Sequence, residues 1–109
     1  MDEPRRVPFD ELPWTDDAPG ISAREVDVGG ARWATVEYGE GVGREEWCEE
    51  GHRGYVVSGG IKYEFDDGRE PLRASQGEAF RLPSAALGSW AHRDRNTAQG
   101  PTRLFLIDD

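Results

Sequence analysis

WCEEGHRGYVVSG, residues 47–59, is the stretch whose reading decides the fold. Tyr55-Val56-Val57 is a short apolar strand bounded by turn signals, Glu50-Gly51 before it and Gly59-Gly60 after it. His52, one of only two histidines, stands just ahead of that strand. GEAFRLP at 77–83 and HRDRN at 92–96 echo it downstream, and the second histidine, His92, opens the latter. The two imidazoles lie on either side of a glycine-punctuated block of strands. Such a layout brings sequence-distant side chains together inside a small β-barrel. It locates a site and bounds its chemistry, but does not name the molecule processed.

The rest of the chain follows the same strand-and-turn pattern. Segments 21–28 and 31–38 flank Gly29-Gly30, a two-residue hairpin signal, because glycine adopts positive φ without steric cost. In the second, Ala34, Val36 and Tyr38 alternate with Thr35 and Glu37, the period of a half-buried strand. Further strands are predicted near 45–49, 53–58, 61–65, 69–74, 78–82, 90–93 and 103–107, with Asp66-Asp67-Gly68 as another hairpin turn. No window carries a 3.6-residue period free of proline or glycine. Roughly eight or nine short strands at this spacing mean an all-β sandwich or barrel. Residues 1–20, rich in proline and acidic residues, read as an extended N-terminal arm with Phe9, Leu12 and Trp14 as apolar anchors for the barrel or a second subunit. Residues 21–109 read as a single β-barrel domain, as expected for a chain of 109 residues.

The net charge of −9, from 22 acidic against 13 basic residues, repels nucleic-acid phosphate and anionic lipid, so neither is an expected partner. No apolar run approaches a membrane span, and no signal peptide is recognisable. Cys48 is the lone cysteine and has no partner for an internal bridge. A reducing, cytoplasmic setting is the expectation.

On these motifs the chain resembles a small single-domain cupin, an RmlC-like jelly-roll β-barrel (a double-stranded β-helix). The family's first motif carries two histidines one residue apart, then a glutamate, then a glycine. Gly59 fits the glycine and Tyr55-Val56-Val57 the strand before it. His52 then falls on the glutamate position, and Glu46 and Cys48 on the two histidine positions. Carboxylate and imidazole have exchanged places, and a thiol replaces the second imidazole. In the second motif, Gly77 and Pro83 have the family spacing, as do His92 and Asn96, the only asparagine. The intervening SAALGSWA is longer than the family pattern; its residues 84–89 are small enough to form a loop over the barrel mouth.

Residue chemistry adds to the resemblance. Glu46 and Cys48 are two apart, so on a regular strand they face the same way. With His52 and His92 they form a mixed O, S and N donor set suited to a divalent transition metal. Zinc or iron fits first, with nickel and manganese left open. The thiolate argues against magnesium and calcium. Each residue also has an ordinary reading: a free cysteine packs as a small hydrophobe, Glu46 sits in a charged run, and Asn96 reads as a turn residue. Trp33, Tyr55, Tyr63 and Trp90 are candidate pocket walls. Tyr55, Tyr63, Phe65, Phe80 and Phe105 read equally as barrel core.

The leading functional expectation is a metal-binding barrel with an interior site for a small organic molecule. The resemblance implies dioxygenase, isomerase or decarboxylase chemistry; whether the chain is an enzyme stays open, since fold does not fix function. The alternatives are a metal-free pocket that binds a sugar or organic acid or does acid–base chemistry with His52, His92 and Glu46, and a regulatory sensor in which Cys48 oxidation releases the metal. The resemblance also implies a homodimer.

Overall fold

Gly29 and Gly30 adopt φ of +60° and +86°, the left-handed pair a two-residue hairpin turn requires. They join β2 (Ile21–Val28) to β3 (Ala31–Tyr38). A computed structural model of the protein describes residues 3–85 and 90–108. The other strands are β1 (Thr15–Ala18), β4 (His52–Ser58), β5 (Gly60–Phe65), β6 (Leu72–Ser75), β7 (Ala79–Leu82), β8 (His92–Asn96) and β9 (Thr102–Asp108). The protein is all-β. A single 3-10 turn at Phe9–Glu11 precedes the strands.

Two antiparallel sheets face each other, one in the order β1-β2-β3-β9-β4-β7 and one in the order β6-β5-β8. Their inner faces follow the two-residue period of the sequence. Ala34, Val36 and Tyr38 of β3, Val56 of β4, Ile61 and Tyr63 of β5, and Leu104 of β9 are all at most 1% exposed. Burying a leucine-sized side chain this fully is worth about 1.5–3 kcal/mol, so these alternating positions fix which face points inward. The all-β sandwich or barrel expected from the strand pattern, and the double-stranded jelly roll implied by the resemblance, are the architecture found.

The outer face of the large sheet is covered by the N-terminal segment. Phe9 packs edge-on against Phe105 of β9 at 5.9 Å, and Phe105 against Trp33 of β3 at 6.0 Å. Trp14 lies under the guanidinium of Arg24 at 4.3 Å. Residues 15–18, within the stretch read as an extended arm, pair with β2 as the edge strand β1.

Several sequence expectations shift. The strand expected at 90–93 begins at His92 and runs to Asn96, and the one expected at 69–74 starts at Leu72. Phe105 and Tyr55 are not core residues. Both occupy outward positions of their strands, and Tyr55 is 44% exposed. The strand expected at 45–49 is replaced by isolated contacts along the free edge of β8. Asn96 N–H donates to Val42 O, Arg44 N–H to Asp94 O, and Cys48 and His92 exchange both backbone bonds. Three residues lie between Arg44 and Cys48 while one lies between His92 and Asp94, so the segment bulges by two residues at 45–47. Of the expected mouth loop at 84–89, residues 86–89 lie outside the described residues.

Candidate metal centre

Three side chains from three places in the chain meet at one end of the barrel. Cys48 comes from the bulged edge segment, His52 opens β4 and His92 opens β8. One donor atom from each lies within 4.8 Å of the other two. The imidazole centroids are 5.0 Å apart, nearly perpendicular.

Each ring is held by the same nitrogen. His52 Nδ1–H donates to Asp108 Oδ1 at 2.6 Å, and His92 Nδ1–H to the carbonyl of Trp90 at 3.0 Å. Neither acceptor carries a proton to give back, so both Nδ1 atoms are protonated and both Nε2 atoms are the ones left to take a ligand, that of His52 once it gives up its proton. This is the arrangement in which metal-binding histidines are found. His52 Nε2 stands 3.7 Å from Cys48 Sγ. His92 is 1% exposed, and its Nε2 is buried with no hydrogen-bond partner. A buried acceptor left this way costs roughly 1–3 kcal/mol, a cost that an ion would remove.

The electrostatics bind the trio together. The Cys48 thiol is lowered to about 6, first by the hydrogen bond to His52 and then by the nearby His92 ring. For His52, burial is the largest influence and pulls downward, but Asp108 and Cys48 outweigh it and raise the ring to about 9. Burial likewise pushes Asp108 up, yet His52 and Arg32 hold its carboxyl below the ordinary range. Without an ion, Cys48 and His52 are therefore a thiolate and an imidazolium near neutral pH.

The centre opens onto a cleft of about 1010 Å³. Arg32, Arg44, Glu46, Trp47 and the three donors lie on its wall. Deeper in, Tyr38 O–H donates to Asp94, and Arg44 reaches Tyr38 Oη at 3.3 Å and Asp17 Oδ2 at 2.5 Å. Burial raises the Asp94 carboxyl above its ordinary range against the pull of Tyr38 and Arg44.

Of the four ligand candidates, Cys48, His52 and His92 converge and Glu46 does not. The bulge at 45–47 breaks the strand period that would have put Glu46 beside Cys48, and leaves it exposed on the cleft wall. Of the pocket candidates, Tyr63 is buried in the core 5.6 Å from the His92 ring, and none of the four is among the described residues lining the cleft. Trp33 and Tyr55 point outward, and Trp90 packs on Phe65 at 5.2 Å, covered by Arg69 at 3.7 Å. Asn96 is a structural knot: its amide donates to the Gly39 and Gly100 carbonyls at 2.8 Å, and its oxygen accepts from Thr102 at 2.7 Å. Asp108 and Arg32 are the site residues that motif reading missed. The signal for Asp108 was the two-residue period through Leu104 and Leu106, continued one step past the expected strand end.

The chain is similar in structure to KdgF from Halomonas sp., at 24% identity over 91% of this chain and 87% of that one, with a TM-score of 0.68. It is also similar to the polyketide cyclase RemF from Streptomyces resistomycificus (16%, 97% and 79%, TM-score 0.74) and to an RmlC-like cupin from Shewanella frigidimarina (15%, 99% and 94%, TM-score 0.70). These likenesses establish the cupin fold, and they speak to fold alone. No protein-family model and no curated protein sequence matches the chain. No helix among the described residues is long and apolar enough to cross a membrane.

Proposed function

We propose that this protein binds a divalent transition metal, zinc or iron, through Cys48, His52 and His92, and acts on a small organic molecule held in the adjoining cleft. The observation that carries this reading is the pair of imidazoles, each tied down by Nδ1, with the buried Nε2 of His92 left without a partner beside a thiolate. Three protein donors are the pattern of catalytic rather than structural zinc sites. When bound, such an ion supplies Lewis acidity to a substrate oxygen or to water. The chain's own residues do the rest. Asp108 holds His52 in register, Tyr63 packs edge-on against the His92 ring, and Arg44 with Tyr38 fixes the adjoining polar surface. Metal analysis of protein purified without a histidine tag tests the reading. Near one equivalent is expected in the wild type and a large loss in H92A. Substoichiometric metal that zinc, iron, nickel and manganese all fail to raise would overturn it.

A second reading rests on a different feature: the Cys48–His52–Asp108 chain is complete without an ion. A thiolate–imidazolium pair oriented by a carboxylate suits metal-free acid–base chemistry. Thermal stabilisation of metal-free protein by a carbohydrate or an organic acid favours this reading.

A further inference from the structure

Sheet register lines up one polar side chain per strand across four neighbouring strands. Arg32 of β3 is the direct cross-strand partner of Asp108 of β9, and Asp108 is the direct partner of His52 of β4. Glu25 of β2 is diagonal to Arg32, whose own partner there is Asp27. Inward-facing pairs this close interact side chain to side chain, and these do. Glu25 accepts from Arg32 Nε; Arg32 Nη1 donates to Asp108 Oδ2 at 2.9 Å; Asp108 Oδ1 accepts from His52 Nδ1 at 2.6 Å.

We infer that Arg32, held by Glu25, is a positioning residue for His52, acting through Asp108. The two oxygens of Asp108 are divided between two donors, so the carboxylate plane is set from the Arg32 side. That plane fixes the His52 ring and aims Nε2 at Cys48. A guanidinium does this where an ammonium does not. Its planar fork delivers N–H groups in two fixed directions at once, Nε to Glu25 and Nη1 to Asp108. The Arg32 side chain is 32% exposed, so its position reflects these two bonds and not confinement in the core. The inference stands with or without an ion, because metal ligation and proton transfer both need a fixed His52.

The test compares wild type, R32K, R32M and, as a control from the outer face, R103M, which removes the Arg103–Glu37 pair. Proton NMR of the metal-free protein reports the His52 Nδ1–H directly. A protected, downfield signal is expected in the wild type and in R103M, lost in R32M and only partly recovered in R32K. Cobalt(II) titration, followed by its thiolate charge-transfer band, is expected to show R32M binding about ten- to a hundredfold more weakly, with R103M unchanged. A wild type that takes no cobalt sinks the metal reading and leaves the NMR arm to decide the inference. An Nδ1–H signal identical in wild type and R32M overturns the inference, whatever the metal does.

Discussion

At Cys48 the chemistry of a single side chain can be read directly. Its thiol is lowered to about 6 chiefly by His52, so the thiolate dominates at neutral pH in the metal-free protein. Because the thiolate is the reacting species, the rate of alkylation by iodoacetamide against pH is expected to inflect near 6. In H52Q the largest cause of the shift is gone, and the inflection is expected to move up toward the ordinary thiol range. An inflection that stays put in H52Q would show that His52 does not act on Cys48. The trio was legible as residue types at motif spacing. Asp108 and Arg32 were not, because an arginine in a chain with 13 basic and 22 acidic residues has many candidate partners. Only the strand register, with Arg32, Asp108 and His52 side by side, selects among them.

At the scale of elements, the edge segment that carries Cys48 governs the site. It crosses closely over β8 at Gly43, where an added Cβ would lie 2.5 Å from the Asp94 carbonyl oxygen and 3.0 Å from Arg95 Cβ. Both obstacles belong to a paired strand and cannot swing aside. Gly43→Ala is expected to destabilise the protein by about 1–3 kcal/mol, the usual range for overpacking, and to raise the accessibility of Cys48 as the segment lifts. Urea unfolding and the rate of disulfide exchange with an aromatic disulfide reagent check the two effects. An unchanged midpoint would mean that the segment does not dock on β8. Most strands were legible, since Ala34, Val36 and Tyr38 carry their period in the sequence. The bulge was not. Glu45-Glu46-Trp47 holds no proline or glycine to mark it, and the pairings that create it, Arg44 with Asp94 and Cys48 with His92, are with residues far along the chain. That one irregularity turned Glu46 away from the centre. In the same way Tyr55 reads as a pocket wall until the inward register of Val56 is known, after which its neighbour must face out.

At the scale of the whole molecule, the proposed metal site would tie stability to the occupancy of one centre, and the two shifted groups would set how that coupling varies with pH. In the metal-free protein His52 is raised from 6.5 to about 9. Its contribution is fully present below pH 6.5 and is lost as pH rises through about 9. Cys48 is lowered from 9.0 to about 6, so its contribution is present above pH 9 and is lost as pH falls through about 6. The ion pair is thus a feature of the window between about 6 and about 9. Metal uptake inside this window meets a thiolate already formed and an imidazolium that must give up its Nε2 proton. About one proton is therefore expected to leave per metal bound, and affinity is expected to rise about tenfold per pH unit. The dependence should steepen below pH 6, where the thiol must also ionise, and flatten above pH 9. An ion at a hundred times its dissociation constant adds about 2.7 kcal/mol. At about 4–8 °C per kcal/mol for a domain of this size, zinc is expected to raise the melting temperature by roughly 10–20 °C. The increment should grow from pH 6.5 to pH 8.5. Calorimetric titration in buffers of different ionisation enthalpy counts the proton, and thermal melts with and without zinc read the increment. Zero protons released at pH 7.5 would place the ion away from His52, and a pH-independent increment would detach the fold's stability from this centre.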